Sequence, residues 1–555
     1  MKFLPLIATI ITVIVLLSKR YAQSKRNKKM QELRKKWGKP NNGYYNFERI
    51  ESYYRYQQSN NFHTISNQVK ADIDFNDLFS FLDHTNSKPG QQFLFNALSR
   101  PGNNLQALQQ LNKQADFFTA EASTREEIQL LLTDLNDDNA YHIASLLFGE
   151  LPEKPSWFRL VIVDIVLTIT LIVLSFFFKV LLLWLMLPLA VNMALHYWNR
   201  NNIYYFAASL PQLNRLINVS KLLTQKDIPF EKQEIANSII ALKKFQRTMR
   251  MLGLRQSSLG SDVEQIAYYA IDIIKAFFLV ELFAFYSLVK DLKAKQKAIA
   301  ILFDYVGSVD TALSIASLRA CGLQTCLPEF KEAGKQLLAK EVYHPLIEDC
   351  VTNNLSIDTK SILITGSNMS GKSTFLRTIA INSLLAQTIY TCFAQTYQSP
   401  FVKLFSSIRI DDNLQEGKSY YFAEVNIMGE LVKEAGSQWQ NLFILDEVFK
   451  GTNTIERIAS AKAILSYLNK GNNIVLVATH DIELSAMLQS AYDLYHFEET
   501  IVDNQLQFDH QLKQGQLTSR NAIKILEIAG YPSIIIDEAN NISNQLSKET
   551  VNKNS

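Results

Sequence analysis

The residues best suited to chemistry in this sequence of 555 residues lie between 360 and 383, in the stretch KSILITGSNMSGKSTFLRTIAINS. Gly366, Gly371, Lys372 and Ser373 are spaced there as GxxxxGKS, after a short β-branched run and ahead of a helical pattern. Glycines let a backbone wrap close to phosphate, and successive N–H groups at a helix N-terminus attract the anion. A lysine at this spacing reaches the β and γ phosphates, and the hydroxyl after it binds Mg²⁺. The loop Gly366, Ser367, Asn368, Met369, Ser370, Gly371, Lys372, Ser373, Thr374 is therefore expected to bind ATP.

Two further runs supply what a phosphate site needs. In NLFILDEVFKGTNT an apolar strand ends in Asp446 and Glu447. Asp446 is expected to hold Mg²⁺ through water, with Ser373 as the other protein contribution. Glu447 is expected to orient or deprotonate the attacking water, because phosphoryl transfer depends mainly on positioning and charge stabilisation. A third apolar run, NIVLVATH, ends at His480. At a strand tip beside the P-loop this imidazole could touch the γ-phosphate or the lytic water; the alternative is a structural histidine.

These motifs resemble the MutS family. Thr365-Gly366-Ser367-Asn368-Met369-Ser370-Gly371-Lys372-Ser373-Thr374 is similar to the family's TGPNMGGKST. Asp446-Glu447 with Gly451-Thr452-Asn453-Thr454 resembles LLDEIGRGTST, and Ala478-Thr479-His480 with Glu483-Leu484 resembles ATHYHEL. Asp411-Asp412, Gly417-Lys418-Ser419 and Glu424 are similar to the signature loop DDLASGRSTFMVE. In that family the loop's serine reaches the nucleotide of the opposing subunit, so the resemblance implies a homodimer with composite sites and Ser419 acting in trans.

Tyr343-His344-Pro345-Leu346 and Asn353-Asn354-Leu355 look like the RHPL and PNDL elements, which implies adenine contacts by His344 and Asn354. Ser519 and Ala529-Gly530-Tyr531-Pro532 resemble the C-terminal helical element that docks the second subunit. Phe81-Leu82-Asp83-His84-Thr85 with Gly90, and Leu98-Ser99-Arg100-Pro101, are similar to the start of the helical core. The departures are specific. Ser367 and Ser370 replace Pro and Gly of the loop, Phe449-Lys450 replace Gly-Arg, and Tyr420 replaces Thr after the signature serine. The family's mismatch-reading domain and its Phe-x-Glu wedge have no counterpart ahead of Asp77, and no long insertion between Arg200 and Gln336 stands out as a DNA clamp.

The elements that must position these residues follow from hydrophobic periodicity. Strand and helix patterns alternate over 336–540, an α/β P-loop ATPase of the ABC type, followed by a polar tail at 541–555. Ahead of it, periodic apolar helices over 70–155 and 199–335 read as an α-helical core and lever. Residues 1–19 hold the apolar run FLPLIATIITVIVLL, followed at 20–69 by a linker whose first part is dense in Lys and Arg. A cleaved signal peptide carries its charge ahead of the apolar stretch, so residues 3–18 are expected to be a transmembrane anchor with the basic side in the cytoplasm.

Residues 157–198 are apolar over twice the ~20 residues that one helix needs to cross a bilayer, which predicts a transmembrane hairpin. Lys179 falls at its turn, aromatic belts form from Trp157, Trp184, Tyr197 and Trp198, and Arg159 and Arg200 keep both outer ends cytoplasmic. Asp164 is read as a near-interface residue, and the run 274–289, which contains Lys275 and Glu281, as a core helix. The expected location is thus a membrane, with the ATPase domain in the cytoplasm.

Composition sets the outer limits. With 47% hydrophobic and 20% charged residues, 19 Gly and 13 Pro, the chain is neither collagen-like nor wholly disordered. A formal charge of +3 excludes a whole-surface nucleic-acid footprint, so basic function must be local. Two clusters qualify, Lys243, Lys244, Arg247, Arg250 and Arg255, and Lys290, Lys293, Lys295 and Lys297. Either they pair with phosphates of mismatched or branched DNA, or they are a solvated face. Four cysteines, Cys321, Cys326, Cys350 and Cys392, form neither a disulfide scaffold nor a zinc site.

The sequence thus leads to a membrane-tethered ATPase engaging DNA, as the resemblance implies, or a membrane-bound ATP switch acting on a repair or other protein partner. An ABC transporter half ranks last, because an LSGGQ-type signature is lacking.

Overall fold

The computed structural model describes residues 4–41, 43–57, 61–149, 154, 156, 158–251, 278–332, 334–367, 369–409, 420–449, 451, 453–502, 505–517 and 522–553. The chain divides into a helical unit, 1–60, 80–99 and 110–322, and a second unit, 61–79, 100–109 and 323–555.

The helical unit is built on three long helices, Leu181–Thr224, Gln233–Met251 and Val280–Arg319, and Lys88–Ser99 packs against the last of them. Their apolar stripes bury Leu213, Leu216, Leu223, Leu242, Phe245, Leu302, Phe303 and Val306. The motif around Asp83 to Gly90 is the lock between Lys88–Ser99 and Val280–Arg319. Asp310 is fully buried and accepts hydrogen bonds from Asn86 N (2.9 Å), Ser87 N (2.8 Å) and Ser87 Oγ (2.6 Å). A Cβ at Gly90 would lie 2.1 Å from Asp310 Oδ2, so only glycine admits this approach. His84 adds bonds of 2.9 Å from its N and Nδ1 to Ser314 and Ser317.

Two helices run across expected boundaries. The helix Leu4–Lys36 runs without a break through the apolar segment and the basic one, so the first part of the expected linker is helical. Its end is held by packing: Leu33 is buried, the Arg34 guanidinium pairs bidentately with Glu126 at 2.7 Å, and Arg125 lies over the Trp37 ring. No helix end falls at residue 198 either, because Leu181–Thr224 carries the second arm of the apolar hairpin directly into the lever.

The hairpin itself forms as the pattern predicts, with Phe158–Ser175, a turn holding Lys179, and then Leu181 onward. Phe158–Ser175 is long and apolar enough to cross a membrane and is only 17% buried. Leu160, Val163, Phe176, Phe177, Val180, Leu183, Trp184, Met186 and Leu187 are exposed. Asp164 meets the fully buried Asn192 of the other arm. Of the run 274–289, residues 274–277 lie outside the described residues. Leu288–Arg319 beyond it passes the same length and hydropathy test but is 72% buried, as a core helix is.

The second unit holds a six-stranded sheet. Its strands are β4 (Ser361–Thr365), β6 (Lys403–Ser407), β7 (Asn441–Asp446), β8 (Ile474–Ala478), β9 (Tyr492–His496) and β12 (Lys513–Gln514), in the order β12-β9-β4-β8-β7-β6. All pairings are parallel except that of β12 with β9. Strands β4, β7 and β8 are continuous apolar runs, as strands covered on both faces must be. Their Leu363, Phe443, Leu445, Val475 and Val477 pack with Leu465, Leu468, Leu484 and Leu488 from flanking helices. A smaller sheet comprises β1 (Glu329–Phe330), β2 (Leu337–Val342), β3 (Asn353–Ile357) and β5 (Thr396–Ser399), in the order β1-β5-β2-β3. A hairpin of β10 (Glu499–Val502) and β11 (Gln505–Phe508) and the C-terminal helices Ala522–Ile528 and Ser533–Lys553 complete the unit.

Candidate nucleotide site

Register brings the chemistry together. Strand β8 lies between β4 and β7, with Ala478 opposite both Ile364 and Asp446. The loops leaving these three strands therefore open at one level, in the crevice at the carboxyl ends where α/β sheets bind ligands. The β4 loop is the P-loop, β7 ends at Asp446-Glu447, and β8 delivers His480.

The helix Lys372–Thr388 starts directly from the loop, so its free N–H groups face the turn. Gly366 has φ of 146°, and a Cβ there would stand 2.7 Å from the Phe497 carbonyl oxygen. Lys372 is buried, and its Nζ donates to the carbonyls of Gly366 (2.8 Å) and Ser367 (2.6 Å). The Ser367 hydroxyl oxygen is buried without a hydrogen-bond partner, a donor that a phosphate oxygen would satisfy. Ser370 closes the turn through its Oγ to the Ser367 carbonyl at 2.8 Å. Thus the two serines replacing Pro and Gly are accommodated within the loop. Asn368 and the whole segment 410–419, with Asp411, Asp412 and Ser419, lie outside the described residues, as does Ser519.

Ser373 Oγ donates to Asp446 Oδ2, so a hydroxyl and a carboxylate oxygen converge at the P-loop. Hard oxygen donors of this kind fit Mg²⁺, which keeps several waters and takes its other ligands from phosphates. Among the described residues no group of three or more His, Cys, Asp or Glu side chains forms a metal cage, and a nucleotide-bound magnesium requires none.

Glu447 has φ of 56°, a left-handed backbone held by its N–H to the Ala478 carbonyl at 2.9 Å. Phe449, with φ of 65°, follows in the same region. Strained non-glycine residues of this sort cluster at functional sites. The carboxylate stands 2.9 Å from His480 Nε2, which is also 3.4 Å from Lys372 Nζ. The supports are specific: Arg457 binds Asp481 with bonds of 2.6 and 3.0 Å, and Asp481 N donates to Thr479 Oγ1. Glu424 is buried and accepts from Gly451 N at 3.2 Å, tying the helix Tyr420–Ala435 to the loop after β7.

A cavity of about 270 Å³ lies on the other side of the P-loop, lined by Met369, Lys372 and Thr374 together with Asn353, Phe497 and His510. Burial alternates along β3, so Asn353 points in and Asn354 out. Asn354, for which an adenine contact is expected, does not line this cavity. Its Oδ1 instead accepts from Glu341 N at 2.9 Å, at the irregularity in β2. His344 does not line the cavity either. It is buried, receives Leu346 N on Nδ1 at 3.3 Å, and is pushed down to about 4 by burial and by the Arg377 guanidinium.

Sequence reasoning missed His510. This residue has φ of 51°, stacks on Phe508 and places Nδ1 3.0 Å from the Ser370 carbonyl. Its one signal was a histidine beyond the motif blocks. A second cavity, about 720 Å³, is bounded by Gly366, Ser367 and His480 and by Lys524, Glu527 and Asn540 of the C-terminal helices.

Comparison with known proteins agrees with this geometry. Residues 362–547 match the family model for MutS domain V. Part of the chain is also similar to part of several proteins named DNA mismatch repair protein MutS. That of Aquifex pyrophilus is 33% identical over 254 residues, 44% of this chain and 29% of the relative. Those of Thermus thermophilus and Pseudothermotoga lettingae are 32% identical over 37% and 45% of this chain, covering 25% and 32% of the relatives. The chain thus spans about a third or less of the curated MutS proteins it matches. These similarities support the MutS family and an ATPase domain of its type for the C-terminal half of the chain.

Proposed function

We propose that this chain is a membrane-tethered MutS-like ATPase that binds and hydrolyses ATP with Mg²⁺ at sites shared by two copies, and that it engages DNA in a mismatch-repair or recombination-like process. The carrying observation is the meeting of P-loop, Asp446, Glu447 and His480 at the ends of three adjacent strands within the MutS-like domain. Magnesium would be held by Ser373 and, through water, Asp446, and would neutralise charge on the transferring phosphoryl group. Lys372 binds the phosphates, Glu447 takes a proton from or orients water, and His480 holds the Glu447 carboxylate in place. Ser419 would complete the site of the partner copy. Adenine is assigned to the cavity lined by Asn353, Phe497 and His510.

Membrane tethering rests on residues 3–18 and on the exposed apolar flanks of the hairpin, with the ATPase domain on the cytoplasmic side. The DNA reading rests on the names of the relatives and on Lys243, Lys244, Arg247, Lys290, Lys293 and Lys297, which are exposed on two helices packed against each other. Such a face binds phosphates in a salt-dependent, sequence-blind way. The second reading, a membrane ATP switch acting on a protein partner, is favoured by the limited span of the similarity to the mismatch repair proteins.

Binding of the full-length chain to labelled homoduplex, mismatched and branched DNA at two salt concentrations, with and without ATP, separates the two. Structure-dependent, ATP-modulated binding that is lost on reversing Lys243, Lys244 and Arg247 to Glu is expected. Binding no stronger than salt-sensitive background on every DNA would leave the protein-directed switch.

A further inference from the structure

Arg377 lies one turn beyond Ser373 on the P-loop helix, so the two side chains share a face. Its guanidinium is within electrostatic reach of the carboxylates of Asp74, Asp72 and Asp446 and of the Arg409 guanidinium, and its Nε is buried without a hydrogen-bond partner. Among the described residues its hydrogen bond runs from Nη1 to Asp74 Oδ2, at 3.4 Å. A guanidinium with spare donors turns to the carboxylate that offers a planar pairing. The alternative to Asp74 is Asp446, already bonded to Ser373.

Asp74 is fixed where it can compete. It has φ of 50° and follows the short helix Asn67–Asp72. Asp72, fully buried, accepts from Ser406 Oγ (2.6 Å), Ile408 N (3.1 Å) and Arg409 N (2.8 Å), which seats this segment on the end of β6. Arg409 then grips Asp74 with two bonds, at 2.5 and 3.2 Å. Structural attachment thus falls mainly to Asp72, whereas the partly exposed Asp74 gathers two arginines.

We propose that Asp74 is a positioning residue that holds Arg377 away from Asp446 and so keeps the Asp446 carboxylate available to the divalent cation. The proposal rests on the assignment of Ser373 and Asp446 as the metal-holding pair. Without Asp74, Arg377 pairs with Asp446 and opposes metal binding directly by charge and by occupying its oxygens.

The test is Mn²⁺ binding to the ADP-loaded full-length protein in detergent, followed by electron paramagnetic resonance. Asp74→Ala should weaken Mn²⁺ about tenfold, the scale of loss for a group that orients a metal ligand, while metal-free ADP affinity stays within about twofold. Adding Arg377→Met to Asp74→Ala should restore the affinity, and Asp74→Glu should retain it. A merely structural role predicts the reverse for the double variant. Wild-type Mn²⁺ affinity in Asp74→Ala, or no recovery in the double variant, overturns the proposal; should Asp74→Ala not fold, Asp74→Asn takes its place in the same comparison. Asp446→Ala is measured alongside, and unchanged Mn²⁺ binding in that variant would instead overturn the metal-pair assignment itself.

Discussion

The imidazole of His480 stands with Nε2 2.9 Å from Glu447 Oε1, joining the tips of two neighbouring strands through a side-chain contact. The contact holds a carboxylate whose backbone is in the left-handed region and points it toward the P-loop lysine, 3.4 Å from the same nitrogen.

If Glu447 handles the proton of the attacking water, Glu447→Gln keeps the shape and removes the base. Hydrolysis should fall by about a hundredfold or more while ATP binding persists. Lys372→Ala should lose nucleotide binding altogether, and His480→Ala should lower turnover with little change in binding. Phosphate release together with binding of a fluorescent ATP analogue resolves the three. Hydrolysis by Glu447→Gln at the wild-type rate would remove Glu447 from the mechanism.

Gly366→Ala tests the loop without touching a functional side chain. The φ of 146° suits glycine, and the added methyl would meet the Phe497 carbonyl at 2.7 Å. Backbone strain of this kind costs about 1–3 kcal/mol, so ATP affinity should fall by roughly tenfold or more as the loop shifts. Gly429→Ala, in open space on the exposed side of Tyr420–Ala435, is the control and should bind as wild type. Equal affinities would show that the loop tolerates a Cβ.

The nucleotide site was legible because strand-end residues are local signals: apolar runs ending in Asp446, in His480 and at Gly366 place themselves once the strands are parallel. The lining of the neighbouring cavity was not. Which of Asn353 and Asn354 faces inward is a question of strand phase, and a one-residue change of phase reverses every side chain. His510 reaches Ser370 only through the fold of the hairpin β10–β11, a contact with no periodicity to reveal it. The same holds for Asp74, whose partners Arg377 and Arg409 are far away in sequence. The continuity of the helix beyond residue 19 was not legible because charge density was read as a linker, whereas Lys and Arg are good helix formers and Leu33 gives the end of that helix a buried contact.

The hairpin prediction is topological. Lys179 sits at the turn and Arg159 at the start of the first arm, so a spanning hairpin puts them on opposite faces of the bilayer. With Lys179→Cys, a membrane-impermeant maleimide should label intact right-side-out vesicles, and with Arg159→Cys only broken ones. Equal labelling of both in intact vesicles would refute a spanning hairpin.

His63 gives a pH dependence with a defined sign. Its Nε2 is 2.9 Å from the Leu404 carbonyl, so that nitrogen carries a proton. Burial pushes its pKa down to about 4, opposed by the bond to that carbonyl. Between pH 6.5 and 4 the unfolded chain therefore binds more protons at this residue than the folded one, and stability is lost as pH falls. The limit for one such group is about 1.4 kcal/mol per pH unit. Other buried groups act both ways: His84 is pushed down to about 4 by burial and adds to the loss, whereas Asp310, raised to about 6 by burial, opposes it. The measurement must therefore be a difference. His63→Gln keeps an N–H donor for Leu404 and removes the titration, so its stability relative to the wild type should improve steadily as pH falls from 6.5 toward 4. A gap in thermal midpoint between the two proteins that stays constant across that range would mean that His63 is not held neutral in the fold.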